Sequence, residues 1–346
     1  MNARSAPRVT VLMAVYNGAA YLREAVESVL AQTFGDFEFV IVDDGSTDES
    51  ARIVQSYTDP RIRLVRNEGN IGLSASLNRG LELAHGTYVA RMDADDISLP
   101  KRLATQISFM DAHPQVGICG SWVEWFDDSQ HTGTWGLPTD DEALKCLLLF
   151  SPSLYHPTVM FRKRLFDDAA LRYATDFAQA QDYELWCRLM DVCAFANISE
   201  VLVRHRRHAQ SVGSFAADGQ LANATRVRKR MLQKFGFEPT EDELAVHTAL
   251  ALGKLPSDEK MFQKLQDWLL VLLDRNDNRA VFSQSAMRRL LAEKWYWLCL
   301  HSAPLGGYVW RGYYASPLRA FLPLSLRQHL MLVVGGRFRR KVVVTN

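Results

Sequence analysis

Apolar and polar positions change period along this chain. Residues 9–15 (VTVLMAV) form an apolar run of strand length, and residues 19–32 then place Leu22, Ala25, Val26, Val29 and Leu30 at helical spacing. The exchange repeats, with a strand over 37–42, a helix over 47–57 begun by Ser46 or Thr47, a strand over 62–65, a helix over 73–84 closed by Gly86, and a strand over 87–92. This β-α-β-α rhythm predicts an α/β fold: a mainly parallel twisted sheet with helices on both faces, and ligands gathering at the carboxyl ends of the strands.

The pattern continues with a helix over 100–112, a strand over 116–125, a helix over 141–150, an extended 158–161, a helix over 181–190 and a last short strand over 201–206. Alternation then stops. From residue 216 the pattern is helical, with a capping box at Thr240-x-x-Glu243 and an amphipathic segment using Phe262, Leu265, Leu269 and Leu272. The expected organisation is therefore an α/β domain over 1–215, divided near residue 97, and a helical extension over 216–346.

Composition narrows this picture. A 346-residue chain with a net charge of +1 has a sizeable core and is not a nucleic-acid binder overall. Cys119, Cys146, Cys187, Cys193 and Cys299 show no Cys-x-x-Cys spacing, so they read as buried thiols in a reducing compartment. No stretch approaches the roughly 20 apolar residues that span a bilayer, and residues 9–15 are too short and wrongly flanked for a signal peptide, which predicts a cytoplasmic protein. One asymmetry stands out: from Lys294 onward the chain holds Arg311, Arg319, Arg327, Arg337, Arg339, Arg340 and Lys341 but no Asp or Glu. Trp295, Tyr296, Trp297, Tyr308, Trp310, Tyr313, Tyr314 and Phe321 share that segment, a mixture suited to peripheral contact with an anionic membrane, or equally to a helical cap with a basic surface.

Candidate chemistry sits at two strand ends, Asp43-Asp44 and Asp93-Ala94-Asp95-Asp96. Clustered carboxylates cannot all stay ionised cheaply, so a proton or a cation must balance them, and hard oxygen ligands favour Mg²⁺ or Mn²⁺ shared with a substrate phosphate. The first strand-to-helix junction lacks Gly-x-Gly-x-x-Gly, and the chain has no Gly-x-x-x-x-Gly-Lys-Ser/Thr, so neither a dinucleotide fingerprint nor a P-loop is present.

Taken together, Val15-Tyr16-Asn17-Gly18, Ile41-Val42-Asp43-Asp44-Gly45-Ser46-Thr47-Asp48, Asn70-Ile71-Gly72 through Asn78-Arg79-Gly80, and Ala90-Arg91-Met92-Asp93-Ala94-Asp95-Asp96 resemble the family-2 inverting glycosyltransferases with a GT-A fold, of the bacterial polysaccharide-biosynthesis type. The resemblance runs through about the first 210 residues. It implies a nucleotide-diphospho-sugar donor held by Ala14, Val15, Tyr16, Asn17, Asp44, Asn70, Gly72, Asn78, Asp93 and Ala94, with Asp93, Asp95 and His208 on a Mg²⁺ or Mn²⁺ ion. Arg206 or Arg207 is the candidate phosphate partner. Asp44 could accept from a pyrimidine N–H, which favours a uridine or thymidine diphosphate sugar, whereas Asp48 reads as a turn and cap residue.

Inversion needs a base for the acceptor hydroxyl. Asp182 is that candidate, in Gln181-Asp182-Tyr183-Glu184-Leu185-Trp186-Cys187-Arg188, which is similar to the family's Glu-Asp helix start except that Gln181 replaces the Glu. The resemblance puts Gln181, Trp186 and His156 on the acceptor side and leaves Glu184 on a solvated face. Trp122, Trp125 and Trp135 fit either sugar stacking or an aromatic core. The implied reaction is metal-dependent transfer of a sugar to a lipid-linked oligosaccharide or polysaccharide precursor, at the cytoplasmic face of the inner membrane. A nucleotide-sugar phosphohydrolase and a non-catalytic sugar-nucleotide-binding subunit are the alternatives.

Overall fold

The computed structural model describes residues 6–127, 129, 131–168, 171–208, 217–302 and 305–334. It comprises two compact units, Met1–Leu144 with Pro152–Ala224, and Lys145–Ser151 with Thr225–Asn346.

The first unit begins with β1 (Val9–Val15), α1 (Ala19–Leu30), β2 (Phe37–Asp43), α2 (Ser50–Gln55), β3 (Ile62–Arg66), α3 (Leu73–Leu83) and β4 (Tyr88–Met92). The four strands pair in parallel in the order β3-β2-β1-β4, which puts the apolar β1 in the middle. Successive side chains of a strand point to opposite faces. Val11 and Met13 accordingly join Leu22, Val26 and Val29 of α1 in the core, while Leu12 turns the other way and lies against Gly80 of α3. Helices cover both faces, and every strand carboxyl end opens on the same edge.

The unit continues with β5 (Ile97–Ser98), α4 (Arg102–Ala112), β6 (Val116–Asp127), β7 (Thr132–Trp135), α5 (Asp141–Leu147), β8 (Met160–Arg162), α6 (Arg164–Asp168), α7 (Gln181–Leu189) and β9 (Ala194–Arg207). The sheet extends from β4 through β8, β6 and β9 to β5, with β7 on β6. Here β8 runs antiparallel to β4 and β6, and β9 runs parallel to β6. The sequence pattern predicts only residues 201–206 of β9, because Asn197, Ser199 and Glu200 interrupt its apolar alternation; pairing with β6, with register shifts, carries the strand through them. The expected helix over 47–57 is shortened at its start, because Asp48 Oδ1 accepts from Ser50 N (2.9 Å) and holds the chain in a turn.

The second unit contains α8 (Ala217–Lys234), α9 (Glu241–Ala251), α10 (Glu259–Arg279), α11 (Gln284–His301), α12 (Gly307–Ala315) and α13 (Leu326–Val334), although α8 begins in the first unit. Its division from the first unit thus falls inside α8, later than residue 215. Thr240 and Glu243 form the expected capping box, and Phe262, Leu265, Leu269 and Leu272 are wholly buried. A linear division misses Lys145–Ser151, which belongs here through its carbonyl groups: Phe150 O accepts from Arg228 Nε (2.8 Å) and Leu149 O from His247 Nε2 (2.8 Å). Two of the eight aromatic residues named in the acid-free segment are core. Trp295 is fully buried with its ring 5.0 Å from that of Phe262, and Tyr313 is also buried. Among the described residues no helix is long and apolar enough to cross a membrane.

His247 gives this unit a pH dependence. Trp268 Nε1 donates to its Nδ1 (3.1 Å) while Nε2 donates to Leu149 O, so the ring is neutral. Burial pushes its pKa down to about 3, helped by the charges of Arg228 and Lys294 and opposed by the Leu149 carbonyl. A histidine depressed in the folded state contributes stability above its unfolded value of about 6.5, and loses it as pH falls toward 3, by about 1.4 kcal/mol per pH unit. Urea unfolding of the second unit between pH 7 and pH 5 will therefore show falling stability on acidification, and His247→Gln will flatten that slope.

Candidate active site

Two loops at the carboxyl edge of the sheet bind each other. Asn17, in the left-handed region at φ 50°, follows β1; its N–H donates to Ser46 Oγ (3.0 Å) and its Oδ1 accepts from Thr47 N (2.9 Å). No side chain within α1 caps its first turn, so the opposite loop does so, with Asp48 Oδ2 accepting from Ala19 N (3.0 Å) and Ser50 Oγ from Gly18 N (2.9 Å). Asp48 thus has the capping role expected of it.

Asp44, 3% exposed, organises the third loop. Its Oδ1 accepts from Asn67 Nδ2 (2.7 Å) and Ile71 N (2.9 Å), and its Oδ2 from Gly72 N (2.9 Å) at the start of α3. These loops enclose a cleft of about 370 Å³, lined by Ala14, Val15, Tyr16, Asn17, Asp44, Asn70, Gly72, Asp93, Ala94, Asp95 and His208, among others. Eleven residues singled out in the sequence therefore meet in one place. Asn78 does not join them: its Nδ2 donates to Tyr173 O (2.9 Å) and its Oδ1 accepts from Tyr173 N (2.8 Å), so the amide clamps α3 to another segment.

Oxygens of Asp93, Asp95 and Asp96 lie within 4.8 Å of one another at the end of β4. Each carboxylate has an arginine or a histidine beside it. Asp93 pairs with the buried Arg91, Asp95 Oδ2 lies 3.0 Å from His208 Nε2, and Asp96, wholly buried, accepts from His205 Nδ1 (3.0 Å) and Arg206 N (2.9 Å). Burial works against charge on His205, but its hydrogen bond to Asp96 and the nearby carboxylates prevail and raise it to about 9. Asp95 is the least compensated: burial, then the charges of Asp93 and Asp96, push it up to about 6 against the hydrogen bond of His208. Hard carboxylate oxygens with an imidazole nitrogen beside them are a donor set that fits Mg²⁺ or Mn²⁺. Arg206 is not available to a phosphate. Its Nε donates to Asp95 O (3.1 Å), it pairs with Glu24, and its guanidinium lies between the rings of Tyr21 and Phe126 at 4.6 and 4.5 Å. Arg207 is exposed, its guanidinium 5.1 Å from the Trp125 ring.

The acceptor-side residues expected from the sequence gather around α7. Gln181 is buried as its first residue, and Asp182 follows, partly buried. Burial raises the Asp182 carboxyl, Asp93 adds to the rise, and Arg91 and the Tyr183 N–H oppose it. Asp182 and the acidic cluster therefore share one electrostatic environment. Trp186 is wholly buried, edge-on to His156, whose Nε2 lies 2.9 Å from Tyr173 Oη. Burial, with the field of Arg91, holds His156 well below the usual histidine value, so it is a neutral packing residue. Glu184, expected on a solvated face, is buried and paired with Arg188 (2.7 Å). The helical period misses this because Glu184 is held by Arg188, whose Nη2 also donates to the Arg172 carbonyl (2.6 Å) from outside the helix.

Sequence reasoning passed over Arg91 and His205, the two cations that balance Asp93 and Asp96. For His205 a signal existed: it lies two residues from the buried Val203 on β9, hence on the same sheet face. Asp44→Ala leaves the Ile71 and Gly72 N–H groups without their acceptor, so the unfolding midpoint will drop, by about 1–3 kcal/mol of stability, with Asp44→Asn intermediate.

Comparison with known proteins places this geometry. Residues 10–169 match the sequence profile described as Glycosyl transferase family 2. The chain is 32% identical over 222 residues to the O-antigen biosynthesis glycosyltransferase WbnJ of Escherichia coli, covering 61% of this chain and 84% of that one. Residues 1–349 of TarS from S. aureus, solved in complex with UDP-GlcNAc, superpose with a TM-score of 0.54 at 17% identity, covering 89% of this chain and 92% of that fragment. The mannosyltransferase PcManGT from Pyrobaculum calidifontis, solved in complex with GDP-Man and Mn²⁺, gives 0.52 at 18% identity, covering 98% of this chain and 89% of PcManGT. The fold is that of the GT-A glycosyltransferases, and the chain, a transferase, belongs to glycosyl transferase family 2.

Proposed function

We propose that this enzyme transfers a sugar from a nucleotide-diphosphate donor, a UDP-sugar, to a lipid-linked oligosaccharide or polysaccharide precursor, with inversion at the anomeric carbon and Asp182 as general base. The observation that carries the reading is the meeting of the Asp93-Asp95-His208 group and the nucleotide-sized cleft, within electrostatic reach of a carboxylate whose pKa burial has raised. A raised pKa brings the base nearer to working pH and strengthens it as a proton acceptor.

The acceptor hydroxyl oxygen attacks the anomeric carbon and gives its proton to the Asp182 carboxylate. The bond from that carbon to the diphosphate oxygen breaks, and the electron pair leaves with the nucleoside diphosphate. A divalent cation held by Asp93, Asp95 and His208 would supply stabilisation of the charge that develops on the leaving diphosphate. Asp44 supports a uracil base, since Oδ2 accepts from Gly72 N and retains lone-pair capacity for a pyrimidine N–H. With Gln181 beside it, Asp182 lacks an adjacent carboxylate, so burial and Asp93 are what raise it.

The second unit supports contact with an anionic membrane surface at the cytoplasmic face. Leu326 (79% exposed) and Leu330 (54%) stand on α13 near Arg327, in a segment without acids. Arg337, Arg339, Arg340 and Lys341 lie outside the described residues. Vesicles of phosphatidylcholine with phosphatidylglycerol will sediment the protein at low salt, and Leu326→Glu/Leu330→Glu will release it; equal sedimentation by pure phosphatidylcholine refutes the electrostatic part.

The donor site is tested by thermal unfolding with UDP and Mn²⁺, where ligand at 100 times its dissociation constant contributes about 2.7 kcal/mol. Asp95→Ala will lose that shift. Asp182→Asn will keep it while transfer from a UDP-sugar falls by at least roughly a hundredfold. Undiminished transfer by Asp182→Asn removes the base assignment, and diphosphate release that needs no acceptor redirects the reading to a phosphohydrolase.

A further inference from the structure

The sheet edge beyond the acidic cluster carries a second surface. In the register of β6, Trp125 stands directly opposite His205 of β9 on one side and Gly133 of β7 on the other, and Val123 stands opposite Trp135. Residues two apart share a face, so Trp125, Trp135 and His205 project together. The rings follow that geometry: Trp135 is 6.2 Å from Trp125, 6.1 Å from His205, and 5.9 Å from Tyr155, to which it is nearly parallel at 28°.

Both glycines of this strand region are required by the indoles. A Cβ at Gly133 would fall 2.5 Å from Trp125 Nε1, and one at Gly136 would fall 2.9 Å from Trp122 Cε2. The rings lie flat on bare backbone, and Trp122 is pinned there by donation from Nε1 to Leu137 O (3.1 Å). These rings are not core. Trp125, Trp135 and Tyr155 each keep part of their surface in solvent, unlike Trp186 and Trp295, which are wholly buried.

The position of this patch gives it meaning. His205 joins its near end to Asp96 of the acidic cluster, and Tyr155 at its far end precedes His156, which packs against Trp186 of the helix that carries Asp182. A row of partly exposed rings, inclined to one another by 34° and 28°, offers the apolar C–H face of a pyranose the surface it prefers, while the sugar's hydroxyls stay in water. We infer that Trp125, Trp135 and Tyr155 form a saccharide subsite that seats the acceptor's sugar beside the reacting centre. This rests on the glycosyltransfer reading for the identity of that sugar as acceptor, but the stacking site itself is an independent property.

Saturation-transfer NMR on the full chain, with cellobiose, maltose, lactose and chitobiose as probes, tests it. At least one disaccharide will receive saturation from aromatic protons, and Trp125→Ala and Trp135→Ala will each weaken its binding roughly tenfold. Trp135→Phe will retain most of it, and Trp310→Ala, in the other unit, all of it. The unfolding midpoint and the UDP-Mn²⁺ dissociation constant of each variant will match the unsubstituted protein. Absence of transfer to all four probes, or transfer unaltered by both alanine substitutions in folded protein, overturns the subsite. Disaccharide binding that depends on these rings in a protein that fails to bind any nucleotide would leave the subsite standing and remove the donor reading instead.

Discussion

Three carboxylates with oxygens within 4.8 Å of one another repel by on the order of 3 kcal/mol per pair even at a generous effective dielectric, and much of the first unit is arranged around that fact. Arg91 is buried beside Asp93 where an unpaired guanidinium would be prohibitive, and His205 is held charged in a place where burial alone would neutralise it. The backbone takes part as well, since Asp96 accepts from Arg206 N and so ties the end of β4 to β9. Arg206 then reaches Asp95 O and Glu24, stacked between two aromatic rings. The cluster is thus pre-organised by protein cations.

That arrangement decides which carboxylate remains reactive to a ligand. Asp93 and Asp96 are matched by Arg91 and His205, whereas Asp95 stays protonated to a higher pH than an ordinary aspartate. A raised acid lowers folded stability as pH rises through the interval between its unfolded and folded values, so ionised Asp95 is held in the fold at a cost. A proton or a divalent cation relieves that cost. The electrostatic argument for a cation therefore weighs most on Asp95, with His208 beside it, rather than equally on all three carboxylates.

How much of this could be read beforehand follows from what each signal measures. The strands β1, β2 and β4 are buried on both faces, so their apolar runs reported them directly; β5 and β7 are two and four residues long and owe their existence to partners β9 and β6. Eleven cleft residues were named by the family resemblance, most of whose motifs fall in the loops at the strand ends. Asn78 was misplaced because an amide on a helix looks the same in sequence whether it faces a ligand or clamps Tyr173. His205 owes its charge to Asp96, 109 residues earlier in the chain, whereas Arg91 lies only two residues before its partner Asp93 and was passed over within its own motif. Lys145–Ser151 joined the helical unit through backbone carbonyls and through the Phe150 ring, stacked on His247 at 4.7 Å, contacts that no local period reports.

The cleft and the aromatic surface differ in how they are built, and the difference has a physical reason. The cleft is formed by backbone and small side chains at the ends of parallel strands, with Asn17, Asp44 and Asp48 knitting three loops together, so its shape is inseparable from the sheet. Trp125 and Trp135 instead sit on the β6–β7 pair beyond the parallel strands, where two glycines make room for indoles. A fold organised this way can keep one rigid site while altering what stacks beside it. The element that borders both is His205 of β9, whose ring hydrogen-bonds to Asp96 and lies 6.1 Å from that of Trp135.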